Sequence, residues 1–388
     1  VVLLALGIAV ASFLLVDRAF RGRVVAQPGE TPSPTISAVG PAANGLIAFG
    51  CSYHICTMAP DGSGITDLIE PYDRSVVLTA GGPVWPPDGT KIAFTGYNER
   101  GSHPAGGGAN YDVYVMNADG SGVTDLTTSQ QDVRSGNSQT SPSWSPDGTQ
   151  IVFNNYSRDP ASSGIYMMNA DGSAQTKIAD VGYSASPWSP DGSRILFSMN
   201  GHGGADLYTV HPDGSGLTQL TSSPDGVYDE FPSWSPDGSK IAFLRGARSI
   251  YVMNADGTDQ LAVFDRAGSR LLRPVWSPDG TKLAFDVYDD GTWDIYEVSA
   301  DGAGLKDLTP TSDRDENGPT WSPDGTRIAF AATHMLSTGV DNTGSFDIYL
   351  MNPDGTGEER LTKDAGHDPN LSWQAVFTAL LSPSPTSP

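Results

Sequence analysis

The chain has 388 residues, enough for two or three domains or for one large all-β domain; its 45 Gly and 29 Pro, beside only 17% charged residues, describe many tight turns joining short strands. A formal charge of −23 argues against a sequence-independent grip on nucleic acid or on an anionic membrane surface, since both need a surplus of Lys and Arg. Cys51 and Cys56 are too few for a disulfide framework and form no CxxC zinc pattern.

Residues 1–16, VVLLALGIAVASFLLV, are an uncharged apolar run followed by Arg18, Arg21 and Arg23, so residues 1–23 read as an export signal or membrane anchor with a basic flank. Arginines in that place favour retention of the following chain in the cytoplasm, whereas residues 24–44 form a Pro/Ser/Thr/Gly linker of the kind that tethers a domain outside a membrane. Export is the reading taken, with an extracytoplasmic, anchored or secreted domain over residues 45–377 and a disordered tail at 378–388.

From residue 85 onward one phrase returns: PVWPPDGTKIAF, PSWSPDGTQIVF, SPWSPDGSRILF, PSWSPDGSKIAF, PVWSPDGTKLAF and PTWSPDGTRIAF. It places Trp85, Trp144, Trp188, Trp234, Trp276 and Trp321, and the degenerate LSWQAVF adds Trp373. Between these tryptophans lies a second phrase, of which IYVMNADGTD is typical, with an earlier copy in ICTMAPDGSG. Most of the spacings fall near the ~40–45 residues of a four-stranded propeller blade. Each unit reads as strand A ending at Trp, strand B as KIAF, strand C as IYVMN and a short strand D, with Pro-Asp-Gly and Ala-Asp-Gly as turns. The chain enters at NGLIAF, a strand B without a Trp strand, and leaves at LSWQAVF, a Trp strand without a strand B. Joined, these make a composite blade, and the fold expected is an all-β propeller of seven four-stranded blades, with six or eight as alternatives.

The W-S-P-D-G-x-x-I-A-F phrase followed by D-I-Y-x-M-N-x-D-G resembles the WD-like repeat of TolB-type β-propellers over residues 45–377. The resemblance implies a protein- or peptide-binding role in envelope or surface transport. Against the family's namesake, the expectation is a propeller without the N-terminal α/β domain and with seven blades in place of six.

The interval from Trp to the Phe that closes strand B is nine residues in six copies, whereas the interval from that Phe to the Met position of strand C runs from nine to twenty-two. Since strands alternate in direction, the fixed A–B and C–D turns share one rim and the variable B–C and D–A loops share the other, where binding residues concentrate. On that rim stand Asp229 and Glu230, Asp315 and Glu316, His367 and Asp368, with Arg270 and Arg273. These are the candidate partner-binding residues, and the two acidic pairs precede Trp234 and Trp321 at comparable offsets. Asp112, Asp206, Asp294 and Asp347, each just before a strand C, read as local loop ligands in preference to metal ligands.

No GxSxG, HExxH, Walker or Rossmann pattern occurs, and the six histidines are scattered. No catalytic residue, metal ligand or cofactor is assigned, although the hard oxygens of YDDG leave calcium open. Cys51 and Cys56 flank a tight hairpin, Cys56 stands where other copies have Tyr, and the two are expected to pair if the protein is exported. The leading reading is a monomeric, non-catalytic, exported scaffold for a protein or peptide. The alternative is a propeller enzyme cleaving a glycan or ester through funnel carboxylates.

Overall fold

The computed structural model describes residues 43–51, 54–69, 79–97, 111–127, 138–157, 159–180, 188–201, 203–289, 291–310, 314–333, 346–363 and 370–376, with the short pieces 335–336 and 339–340. The signal, most of the linker, the tail, His367 and Asp368 lie outside the described residues. Among the described residues no helix is long and apolar enough to cross a membrane.

Seven antiparallel sheets follow one another along the chain, each with the order A-B-C-D. The first complete blade consists of Thr79–Val84, Lys91–Tyr97, Tyr111–Asn117 and Thr124–Asp125, and the fourth of Asp229–Trp234, Lys240–Arg245, Ser249–Asn254 and Leu261–Asp265. In the third blade the described part of the inner strand makes one bridge, Trp188 to Ile195. The seventh blade is composite: Leu371–Val376 pairs with Ala43–Cys51 in the register Ile47 to Trp373 and Phe49 to Leu371, which joins the two ends of the ring.

Strand alternation explains the core. In KIAF the Ile and Phe point to one face and pack with the preceding blade, so Ile92, Phe94, Ile241, Phe243, Phe285, Ile328 and Phe330 are all fully buried. The strand C tyrosine stacks on that Phe, with ring centroids 5.5 Å apart for Phe94 and Tyr114 and 5.6 Å for Phe243 and Tyr251. In the composite blade Cys56 takes the Tyr place opposite Phe49 and is disulfide-bonded to Cys51.

The blades are tied to one another by their turns. In WSPDG, Ser145 Oγ donates to Asp147 Oδ1 (2.6 Å), which also accepts from Thr149 N (3.0 Å), and Gln150 N donates back to Ser145 Oγ (2.9 Å). The same set recurs around Asp191, Asp237, Asp279 and Asp324. The serine hydroxyl is the main reason that Asp147, Asp191 and Asp237 are held below the usual carboxylate range. From the second blade to the sixth the turn glycine then faces a proline of the preceding blade's turn, as Gly192 against Pro146, Gly238 against Pro190 and Gly280 against Pro236. Indole N–H groups add a second tie: Trp144 donates to the Val84 carbonyl (3.2 Å), Trp188 to Ser143 (3.3 Å), Trp276 to Ser233 (3.0 Å) and Trp85 to Ser372 (3.3 Å).

The composite blade has no A–B turn, because its strands come from opposite ends of the chain. Two amides stand in for it. Gln374 Nε2 donates to the Gly89 carbonyl of the first blade (2.7 Å) while its Oε1 accepts from Leu46 N (3.0 Å), and Asn44 Nδ2 donates to Asp324 Oδ2 of the sixth (2.9 Å).

On the same rim the C–D turns of some blades approach the end of the neighbouring strand D too closely for any side chain. A Cβ on Gly257, at φ 89°, would lie 2.6 Å from the Leu220 carbonyl oxygen, whereas Gly64, at φ 66°, has nothing near it. Gly64→Ala should therefore cost about 1–2 kcal/mol for the left-handed backbone alone, and Gly257→Ala clearly more. Urea unfolding of the two variants side by side checks this; equal losses would show that the blade contact contributes nothing.

Candidate functional site

Strand A is the inner edge of every sheet and strand D the outer, and the inner strands of neighbouring blades touch one another around a central channel. Each complete strand A carries a proline two residues before its Trp, and proline cannot donate to a sheet ladder. The ladder accommodates it with a bulge: pairing registers shift between Gly81 and Val84, Thr140 and Ser143, Glu230 and Ser233, and Asn317 and Thr320. The residue before the proline takes positive φ, 61° at Gly82, 57° at Ser141, 50° at Phe231 and 65° at Gly318.

That position lines the channel. The corresponding residue is Arg273 in the fifth blade and Asn370 in the seventh, and the Arg273 guanidinium donates to Asn370 Oδ1 across the sixth blade, where Gly318 has no side chain to intervene. Phe231 is 40% exposed despite standing on an inner strand, and Arg273 is exposed at the equivalent position of the next blade. The result is a wall of aromatic ring, guanidinium, bare glycine backbone and carboxamide. Non-glycine residues at positive φ, as at Ser141 and Phe231, are strained and concentrate at ligand-binding places.

Neighbouring blades hold the bulges. Ser141 N donates to Thr95 Oγ1 (3.2 Å), and Gly318 N donates to Asp286 Oδ1 (2.9 Å), both acceptors being the residue after the strand B Phe of the preceding blade. The matching residue before Phe231 is Ser198, whose buried hydroxyl has no partner. Asp286 is completely enclosed, and burial pushes its carboxyl up to about 7 against the pull of Gly318 N–H and Arg273.

The acidic candidates divide. The shared offset belongs to one member of each pair: Asp229 and Glu316 each stand five residues before their tryptophan. Both are 0% exposed and are internal supports, a correction to their reading as rim charges. Arg245 clasps Asp229 through Nε to Oδ1 (2.7 Å) and a second N–H to Oδ2 (2.8 Å), and its guanidinium lies over the Tyr251 ring at 4.5 Å. Arg314 holds Glu316 (2.5 Å) and Glu358 (2.6 Å) over the Tyr349 ring at 4.6 Å. One device is thus built twice, with an arginine from strand B in one blade and from the D–A loop in the other. Asp315 ties two loops, its Oδ1 accepting from Trp293 N (3.0 Å). Glu230 is half-buried, and desolvation raises its carboxyl. Arg270 is exposed on the rim.

The aspartates before strand C serve the blade. Thr127 Oγ1 donates to Asp112 (3.3 Å) and accepts from Val113 N (2.9 Å); Asp206 accepts from Ser223 N (2.8 Å); Asp347 is ion-paired with Arg360 (2.7 Å). Burial, helped by Asp125, pushes Asp112 up to about 7. In YDDG, Asp289 is ion-paired with Arg266 (2.5 Å).

Two measurements follow from this arrangement. Asp229→Ala leaves Arg245 without its carboxylate in a buried pair and should cost about 3–5 kcal/mol in chemical unfolding; a loss within a few tenths of zero would return Asp229 to the rim. Asp286 has a folded pKa raised to about 7, so its favourable contribution is complete below the unfolded value near 3.8 and disappears as pH rises through 7. Asp286→Asn keeps the acceptor for Gly318 N–H without the charge, so its stability relative to the parent should rise from pH 4 to 7 and then level. A difference flat with pH would show that Asp286 is ionised throughout.

The sequence matches the TolB beta propeller domain over residues 102–340, more than half of the chain. A TolB homolog from Chlorobium luteolum is 29% identical over 269 residues, covering 68% of this chain and 57% of that protein, so the chain spans under two thirds of that relative's length. Among solved structures, TolB from Acinetobacter baumannii superposes with a TM-score of 0.51 at 20% identity, covering 86% of this chain and 80% of that one. A prolyl endopeptidase gives 0.60 at 15% identity over 80% of this chain and 46% of its own, and a manganese-bound oligogalacturonate lyase 0.54 at 16% over 82% and 84%. These superpositions reflect the shared propeller architecture. With its repeat, its blade geometry and the match over residues 102–340, the chain belongs to the TolB β-propeller family.

Proposed function

We propose that the protein is a non-catalytic, extracytoplasmic scaffold that takes a segment of a protein partner at the mouth of its channel, on the rim of the variable loops. The observation that carries this is the wall formed by Phe231, Arg273 and Asn370 at equivalent positions of the inner strands, with Phe231 on strained backbone. An exposed aromatic beside a guanidinium is the pairing that dominates protein-binding hot spots, the ring supplying contact area and the guanidinium a planar fork for carboxylate or carbonyl oxygens. Family membership supports a binding role. Two of the four carboxylates considered for glycan or ester cleavage are engaged by arginines, Asp229 by Arg245 and Glu316 by Arg314.

This reading moves the centre of binding from the acidic rim to the channel wall. Long-range electrostatics still follow from the charge of −23, which favours a basic partner and a salt-sensitive association rate.

The partner is first isolated by capture on the whole chain from envelope extract, and its affinity is then measured against variants. Phe231→Ala and Arg273→Gln should each weaken binding about tenfold or more while leaving thermal unfolding close to the parent. Asp279→Asn, on the opposite rim, should lower stability and leave affinity unchanged. If Asp279→Asn abolishes binding and both channel variants bind normally, the assigned face is wrong.

A further inference from the structure

The closing blade holds a donor cluster that the channel does not use. Cys51 ends strand B and pairs directly with His54 on strand C; Cys56 follows two residues later; Asp67 on strand D pairs with Cys56. Directly opposed residues, and residues two apart on one strand, project from the same face of a sheet, so Cys51, His54, Cys56 and Asp67 all stand on one face. The two sulfur atoms and an Asp67 carboxylate oxygen lie within 4.8 Å of one another, and His54 Nδ1 is 2.9 Å from Asp67 Oδ2. Both cysteines are buried, and the His54 and Asp67 side chains are 18% and 39% exposed, which leaves an open approach on one side.

In the oxidised chain the sulfurs are joined and offer no thiolate. We infer that the reduced blade is a zinc-class metal site, with Cys51 and Cys56 as thiolate ligands, Asp67 as the third donor and His54 as the fourth. Two thiolates, an imidazole and a carboxylate are the donors of tetrahedral zinc sites, with sulfur at ~2.3 Å and nitrogen or oxygen at ~2.0–2.2 Å from the ion. Donors spread over such distances stand ~3–4 Å apart, so the cluster needs the sulfurs to part and the carboxylate to draw in, without a change of strand register. The aromatic stacked on the strand B Phe of the other blades is replaced here by Cys56, so no tyrosine ring fills the space.

The chemistry balances through a dithiol reductant. The disulfide accepts two electrons and two protons from the dithiol, which closes to its own disulfide; the metal then displaces the two thiol protons to solvent as it binds. The two states exclude each other, since the same sulfurs form either the disulfide or the metal bonds. The B–C hairpin of the closing blade is thereby held by a covalent staple under oxidising conditions and by a metal staple under reducing ones. The inference stands apart from the channel proposal.

The whole chain is reduced with a phosphine, freed of reductant under nitrogen, and titrated with Co²⁺ and then Zn²⁺. Expected are one Co²⁺ per chain with thiolate-to-cobalt charge-transfer absorption, displacement by Zn²⁺, release of about two protons, and no such absorption from the oxidised chain. Asp67→Asn and His54→Gln should each weaken binding at least about tenfold. The Cys51→Ser/Cys56→Ser variant, checked for its fold by tryptophan fluorescence, should take up no metal at this site. Absence of the charge-transfer band in the reduced chain, equal uptake by the double serine variant, or a fold lost on reduction that metal does not restore would each overturn the inference.

Discussion

The closest approach between blades is made where there is no side chain at all. In the C–D turns of several blades a glycine at positive φ sits against the backbone of the preceding blade's strand D, Gly120 against Leu68, Gly172 against Leu126, Gly257 against Leu220 and Gly355 against Leu308. The distance leaves no freedom in how one blade leans on the next, so the angle between them is set by backbone contact. Proline on glycine in the WSPDG turns repeats the constraint nearer the axis, and the tryptophan N–H groups repeat it once more on the inner strands. Repeated steps of this kind bring the seventh blade to the first, and the two amides of Gln374 and Asn44 complete the rim where the chain is interrupted.

This is also why the architecture could be read so fully from the residues. Turn chemistry, the constant interval from Trp to Phe and the composite closing blade are all local, and each residue type answers to one geometric demand: proline to fixed φ, aspartate to its own turn amides, glycine to positive φ. The expected pairing of the closing strands appears in the register of Ile47 with Trp373. The bulge left its own mark, a proline two residues before Trp, which could have been recognised as a ladder break and would have drawn attention to Phe231, Ser141 and Arg273.

The carboxylates were harder to place because their burial is decided by partners that sequence does not announce. Asp229 and Glu230 are neighbours, yet alternation sends one into an ion pair with Arg245 and leaves the other half-buried. Arg245 comes from the end of strand B, and the arginine doing the same task for Glu316 comes from a loop two residues upstream, so no common spacing links the two pairs. What the blades share is the place: a guanidinium over the strand C tyrosine facing an acid on the inner strand. The place of the acidic pairs ahead of the inner strands suggested a charged rim, but part of that charge is internal framework.

The channel wall depends on the same dependence of blade upon blade. A bulge residue at positive φ exposes its N–H away from its own ladder, and in two blades the acceptor belongs to the neighbour, Thr95 for Ser141 and Asp286 for Gly318. The backbone that shapes the wall is therefore fixed by the packing of adjacent sheets, and strain at Ser141 costs less than it would in an isolated hairpin because it is offset by a hydrogen bond the ring supplies. Phe231 lacks this support, since Ser198 makes no bond to it, and it is the bulge residue with the exposed aromatic ring. Among the described bulges, the one carrying the exposed aromatic ring is thus the one that makes no hydrogen bond with the Ser198 hydroxyl of the preceding blade.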